Sequence, residues 1–217
     1  MSVIIPTRIW EYLVAALVII LAPGPSVLFT IARAIAWGRA TAVATVVGNV
    51  LGSFALAVVI AVGLGPILQK SHLAFVLIQL LGGGYLLWLG IQAIKHSPIH
   101  AFDMTQQGDH RPSTWRSIRD GFWVGGLNPK GMVFFAAILP QFVDRGRGQV
   151  TSQLILLGAI FSGLALICDG GWGILAGTIR NWLATEIKRL VRMRIAGGCV
   201  MIILGTFTII SAIRSHW

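Results

Sequence analysis

Residues 122–142 read FWVGGLNPKGMVFFAAILPQF, an apolar run that is interrupted by Asn128, Pro129 and Lys130. The run is long enough to cross a bilayer as a helix, because about 20 apolar residues span the hydrocarbon core. A lysine at the centre of a membrane helix costs roughly 2.5–3.5 kcal/mol on insertion scales. A proline beside it removes a backbone hydrogen bond. The segment therefore predicts a membrane helix that is broken at a polar site.

The composition extends this prediction to the whole chain. Of the 217 residues, 56% are hydrophobic and 11% are charged, whereas soluble domains carry about 25% charged residues. The net charge of +10 does not predict nucleic-acid binding, because the basic residues flank apolar runs and lack interleaved aromatic residues. Membrane lipid is the expected environment. The two cysteines, Cys168 and Cys199, form no CxxC pair, so neither a disulfide framework nor a cofactor is predicted.

Six apolar runs have the length of membrane-spanning helices. They predict spans at 9–32, 41–68, 73–94, 118–143, 150–179 and 195–213. The first run is too long for the core of a signal peptide and is read as an uncleaved span. The predicted fold is an all-α integral membrane protein with a single transmembrane domain over residues 1–217, in which spans one and four are broken by their proline motifs.

The distribution of basic residues between the loops predicts the orientation. The first, third and fifth loops carry most of them: Arg33, Arg39, Lys95, Arg111, Arg116, Arg119, Arg180, Lys188, Arg189, Arg192 and Arg194. The opposite side carries Arg8, Lys70, Arg145, Arg147 and Arg214. The positive-inside rule then places the odd-numbered loops in the cytoplasm and both termini outside.

Three spans in each half of the chain mean that any internal repeat is inverted. Pro23-Gly24-Pro25 in the first span corresponds to Asn128-Pro129-Lys130 in the fourth, and the Gly48/Gly52 pair corresponds to Gly158/Ser162. Interruptions at matching places in two halves are the best sequence pointer to a transporter's midplane site. We predict one repeat over about 7–96, a cytoplasmic loop over about 96–117 and a second repeat over about 118–214.

Five spans place a helix break or a polar group at one depth. At about 1.5 Å per residue and a core of about 30 Å, the midplane lies about ten residues into a span. The candidate substrate-binding residues at this depth are Pro23, Gly24, Pro25, Asn49, Tyr85, Asn128, Pro129, Lys130 and Asp169.

Lys130 and Asp169 are the only charged side chains predicted deep inside the membrane. Such residues mark functional sites by default, and a zwitterion suits them, with its carboxylate at Lys130 and its ammonium at Asp169. Asp169 is also the candidate for proton coupling. Two structural alternatives remain open: an ion pair between spans four and five, and Asn49 as a helix–helix hydrogen bond. The third loop contains His96, His100 and His110, but its composition is typical of a solvated linker, so no metal site is predicted.

Taken together, these motifs resemble the LysE/RhtB family of bacterial amino-acid exporters, over nearly the whole chain. The resemblance rests on Pro-Gly-Pro at 23–25, the Gly48/Gly52 pair, GGGYLLWLGI at 82–91, NPK at 128–130 with FF and LPQF after it, and Asp169. It implies export of amino acids across the cytoplasmic (inner) membrane, driven by the proton-motive force. Because the two deep charges sum to zero, a neutral amino acid of homoserine, threonine or leucine type is favoured. The protein is not expected to be an enzyme, since no nucleophile–base arrangement is present.

Other function classes remain alternatives. The same architecture could export a metal ion or another small solute, although a lysine at the site disfavours a cation. A thiol oxidoreductase using Cys168 and Cys199 would need a reactive thiol with basic neighbours, and a channel or scaffold would show no saturable flux. The glycine pairs also leave room for a homo-oligomer.

Overall fold

The computed structural model describes residues 6–95, 111–178 and 187–214. Every regular element in these ranges is helical. The α-helices are α1 (Ile9–Leu21), α2 (Pro25–Trp37), α3 (Arg39–Lys70), α4 (His72–Lys95), α5 (Thr114–Gly126), α6 (Pro129–Val133), α7 (Val150–Thr178) and α8 (Ile187–Arg214). A π-helical turn (Phe134–Ile138) and a 3₁₀ turn (Leu139–Phe142) continue α6, and a short 3₁₀ turn (Arg145–Arg147) precedes α7.

The helices form a multi-pass membrane protein, as predicted. Helices α3, α4, α7 and α8 are each long and apolar enough to cross a bilayer. Helices α1 and α2 form a pair bent by 48°, and α5 with the segment Pro129–Phe142 forms a pair bent by 44°. If each bent pair is one span, the described part of the chain contains six spans, and the predicted breaks in spans one and four are confirmed.

Both breaks follow from local chemistry. Pro25 and Pro129 stand at the first position of α2 and α6, where a missing N–H is tolerated because no helical partner exists for it. Asn128 caps the N-terminus of α6: its Oδ1 accepts a hydrogen bond from the backbone N–H of Lys130 at 3.1 Å. Pro140 lies in the 3₁₀ turn that follows the π-helical turn, and a proline ring cannot fit a regular α-helix at that point.

Some predicted boundaries are wrong. Helix α2 continues to Trp37 rather than ending at residue 32, and α5 begins at Thr114 rather than 118, with Ser113 as its cap. Helix α8 begins at Ile187 rather than 195, so the basic stretch 188–194 is helical. Charged residues ended the apolar run there, but lysine and arginine are good helix formers and did not end the helix.

Glycines bring α3 and α5 into close backbone contact. Gly48 faces the carbonyl of Ile118, and Gly52 faces that of Phe122. In return, Gly121 and Gly125 face the carbonyls of Thr45 and Asn49. Because residue numbers rise together along the contact, the two helices run parallel. Small residues spaced four apart permit this approach in membranes.

Helices α4 and α8 pack antiparallel. A Cβ at Gly83 would lie 2.9 Å from the carbonyl oxygen of Gly205, and a Cβ at Gly90 would lie 2.6 Å from that of Gly198. Helices α3 and α7 are also antiparallel, since Gly158 meets Ala57 and Gly173 meets Ala42. Antiparallel packing of corresponding helices is the arrangement that an inverted repeat requires; the repeat boundaries stay a prediction.

Candidate functional site

Lys130 lies in the interior, on the first turn of α6. Its side chain is 6% exposed, and its Nζ donates hydrogen bonds to the carbonyl oxygens of Ile19 and Ala22, both at 2.9 Å. These carbonyls belong to the end of α1, where helix termination leaves acceptors without a backbone donor. The lysine thus bridges the two broken spans and holds a positive charge against the negative end of a helix dipole.

Gly24 permits this arrangement. A Cβ at position 24 would lie 3.1 Å from both Cε and Nζ of Lys130, so the lysine passes directly over the glycine. Any side chain at this position would crowd the terminal ammonium.

Asp169 lies on α7 and is 5% exposed. Its Oδ2 accepts a hydrogen bond from Nδ2 of Asn49 on α3 at 3.3 Å. Within the described ranges, its Oδ1 and the Oδ1 of Asn49 are both buried without a hydrogen-bond partner. A buried acceptor without a donor is costly, so this corner of the molecule can accept a ligand's hydrogen bonds.

Lys130 and Asp169 do not form the ion pair that was one alternative for spans four and five. No contact within 4.0 Å joins the two among the described salt bridges, whereas Lys130 contacts the end of α1. Both side chains nevertheless line one cavity, together with Asn49, Asn128 and Ser26. Asn128 donates to Oγ of Ser26 at 3.0 Å. We call this the Asn49–Asp169 cavity.

Aromatic side chains bound one side of this cavity. Phe134 and Phe161 line it, with ring centroids 4.8 Å apart. Behind them Tyr12 packs on Phe134 and Phe142 and donates its hydroxyl to the carbonyl of Leu157. The cavity therefore ends against a packed apolar wall in this conformation.

A second cavity lies on the other side of Lys130. Pro23, Gly24 and Pro25 line it, as do Lys130 itself, Gln92 of α4 and Arg194 of α8. We call it the Gln92–Arg194 cavity. Lys130 is the residue that lines both cavities, so it stands at their junction.

The structure gathers most of the predicted site residues and leaves one apart. The eight that line one or both cavities are Pro23, Gly24, Pro25, Asn49, Asn128, Pro129, Lys130 and Asp169. Tyr85 lines neither; it is 42% exposed and stacks on Trp88 with centroids 5.3 Å apart. Tyr85 therefore lies on the outer face of α4. The prediction failed because the depth of a residue along a helix does not determine which way its side chain points.

Several lining residues were missed from the sequence. Ser26 directly follows Pro-Gly-Pro, and Ser53 lies one helical turn after Asn49, so the position of both beside predicted site residues could have identified them from the sequence. No sequence pattern identifies Gln92 and Arg194 as lining residues, since only the packing of α4 and α8 brings them to the cavity.

Arg33 is a further charged side chain that is buried inside the protein, whereas the expectation that Lys130 and Asp169 are the only charges deep in the membrane stays a prediction. Arg33, assigned to the first loop, lies in α2 at 8% exposure and forms a salt bridge with Asp120 of α5 at 2.8 Å. The rings of Phe29 and Trp37 pack against its guanidinium, with 4.8 and 4.9 Å between the guanidinium carbon and the two ring centroids. Arg33 is therefore enclosed by the protein and paired with an acidic residue, rather than exposed in the predicted loop.

Features of the rival functions are sparse in the described ranges. No three His, Cys, Asp or Glu side chains there form a group that could hold a metal ion. Cys168 and Cys199 are free thiols. The loop histidines His96, His100 and His110 lie outside the described residues.

Comparison with known proteins follows this geometry. Residues 17–212 match the family described as LysE type translocator. The chain is 30% identical over 199 residues to the homoserine/homoserine lactone efflux protein of Salmonella typhimurium, covering 90% of this chain and 93% of that protein. It is 27% identical over 148 residues to the leucine efflux protein of an Enterobacter species, covering 68% of this chain and 69% of that protein. No solved structure matches the chain.

Proposed function

We propose that this chain, which belongs to the LysE type translocator family, is a secondary exporter of amino acids, with a neutral amino acid of homoserine, threonine or leucine type as its substrate. The relatives named for homoserine and leucine efflux support this class of substrate. The protein acts in the bacterial inner membrane, uses the proton-motive force, and binds its substrate near the middle of the bilayer, with both termini outside.

One arrangement carries this proposal: a buried cation and a buried carboxylate line the same cavity without pairing with each other. A lysine ammonium has three donors, and Lys130 uses two of them on the carbonyls of Ile19 and Ala22. The third is available for the carboxylate of an amino acid.

Two buried hydrogen-bond acceptors are available for the ammonium end of the substrate. The Oδ1 atoms of Asp169 and Asn49 are buried and without partners in the described ranges, and an α-ammonium group can donate to both. Burying a charge becomes acceptable when it is paired and hydrogen-bonded. A zwitterion therefore satisfies the two ends of the Asn49–Asp169 cavity at once, whereas a lone cation would meet the charge of Lys130.

Asp169 is the residue we assign to proton coupling. Of the residues that the structure describes, it is the one buried carboxylate that lines either cavity, and its proton can exchange with a substrate ammonium as the site opens to each side. Efflux of a metal ion or another small solute by the same architecture is the alternative, and it predicts that no extracellular amino acid rises.

Export can be tested in a bacterial host fed with dipeptides, by following all extracellular amino acids over time. The unsubstituted protein is compared with Lys130→Met and with Lys188→Met, an exposed lysine on α8, after membrane levels are matched by immunoblot. We expect one or a few amino acids to rise with the unsubstituted protein and with Lys188→Met but not with Lys130→Met. A flat profile for every amino acid refutes the proposed function, and a rise that Lys130→Met leaves unchanged refutes the site.

A further inference from the structure

We propose that Arg194 forms a second carboxylate-binding site, which receives the substrate in the Gln92–Arg194 cavity before the substrate reaches Lys130. This inference rests on the proposed function and adds a residue to it. Arg194 belongs to the basic stretch 188–194, whose residues the sequence placed in the fifth loop.

The charge of the Gln92–Arg194 cavity points to an anion. Among the described residues, two cations line it, Lys130 and Arg194, and no acidic side chain does. The rest of its wall is mostly apolar, apart from the amide of Gln92 and the backbone of the α1–α2 break. The N-terminus of the 13-residue helix α2 lies in the same wall and adds the positive end of its dipole.

Arg194 has donors to spare. It is half-buried, and its Nε donates to the carbonyl oxygen of Ala93 at 3.2 Å. Within the described part of the chain, its two terminal nitrogens have neither a hydrogen bond nor an ion pair. A guanidinium presents a planar fork that matches a carboxylate in two parallel hydrogen bonds.

The packing of α8 fixes the arginine in this position. Gly197, one helical turn after Arg194, lies against the carbonyl of Pro23 at the break. Gly198 lies against α4, where a Cβ would be 2.8 Å from the carbonyl oxygen of Gly90. These contacts, with the bond to Ala93, leave the guanidinium a small range of positions at the cavity wall, which lowers the entropy cost of binding.

The two cavities then form a route. Both share Lys130, so a carboxylate leaving Arg194 reaches the free donor of Lys130 without passing an acidic side chain of the described ranges. The Gln92–Arg194 cavity lies near Lys95, at the end of α4 where the loop predicted to be cytoplasmic begins. Arg194 is therefore a loading residue for export.

The test uses the full-length protein in liposomes preloaded with the amino acid that the culture assay identifies, and measures initial efflux against internal concentration. We expect Arg194→Gln to raise the half-saturating concentration about tenfold, the ratio that corresponds to about 1.4 kcal/mol, with little change in maximal rate. Arg194→Lys should recover part of the loss. Arg192→Gln, which removes an exposed cation from the same helix, should match the unsubstituted protein.

A carboxamide of the same amino acid separates recognition of the carboxylate from a structural effect. As a competing solute it should inhibit the unsubstituted protein and Arg194→Gln equally, because it lacks the group that Arg194 binds. If Arg194→Gln weakens the amino acid and its carboxamide alike, or leaves the half-saturating concentration unchanged while efflux is normal, this inference is overturned alone. If the unsubstituted protein shows no saturable efflux, the proposed function is overturned as well.

Discussion

Substituting Gly52 by alanine tests whether the parallel α3–α5 contact supports both the fold and the site. A Cβ at Gly52 would overlap the carbonyl oxygen of Phe122 and lie 2.8 Å from the backbone nitrogen of Gly126. Ordinary Cβ contacts begin near 3.4 Å, so relief of the contact with Gly126 alone needs a backbone separation of about 0.6 Å, and the closer contact with Phe122 needs more. A gap of that size forfeits about a quarter of the attraction between contacting atoms.

The expected cost follows from two opposing effects. Overpacking costs about 1–3 kcal/mol, and the upper end applies here because the obstacle is backbone on a neighbouring helix. Alanine is favoured over glycine in a helix by about 1 kcal/mol. The net destabilisation is therefore about 2 kcal/mol, or roughly 4–8 °C in the melting temperature of a chain of this size.

Gly63 supplies a matched control on the same helix. A Cβ there would meet nothing within 4 Å, so Gly63→Ala should be neutral or slightly stabilising. Thermal unfolding of the two purified variants in one detergent measures the difference. Asn49 lies between Gly48 and Gly52, and its 3.3 Å bond to Asp169 should lengthen only in Gly52→Ala, which should also lose transport. Equal melting temperatures for the two variants would refute this account of the contact.

Three further predictions concern single side chains. Asp169→Asn should abolish the stimulation of efflux by an imposed proton gradient in liposomes, and efflux that stays proton-dependent would exclude this residue from coupling. Asp120→Asn should lower the free energy of unfolding by about 2 kcal/mol, since it leaves Arg33 buried without its partner. The value is at the low end of the range because the Asp120 side chain is 26% exposed. A denaturant titration that shows no change in this free energy would contradict the prediction. Gly24→Ala should reduce transport, because a Cβ at this position would lie 3.1 Å from Nζ of Lys130 and displace it. The melting temperature should fall little, because the end of the lysine side chain is flexible. Equal export by Gly24→Ala and the unsubstituted protein in the culture assay would contradict this.

The sequence by itself determined where the chain crosses the membrane and where its helices break. Apolar runs of sufficient length must be helical in lipid, because the backbone has no other partners there. Pro25 and Pro129 each follow a residue that favours a helix start, Gly24 and Asn128, and so the two bends lie at these positions, whereas Pro66 lies inside α3. The common depth of Lys130, Asp169 and Asn49 in the membrane, which comes from counting residues along each span, stays a prediction.

Only the tertiary structure decided which way side chains point and what they contact. Lipid is as apolar as a protein core, so an apolar helix such as α4 carries no pattern that separates its buried face from its outer one. This is why Tyr85, at the predicted depth, lies on the outer surface, while Gln92 of the same helix reaches a cavity. The position of Lys130 against the end of α1 and the position of Arg194 depend on close approach at glycines. The burial of Arg33 depends on its contact with Asp120 of α5. All of these contacts form only when the helices pack.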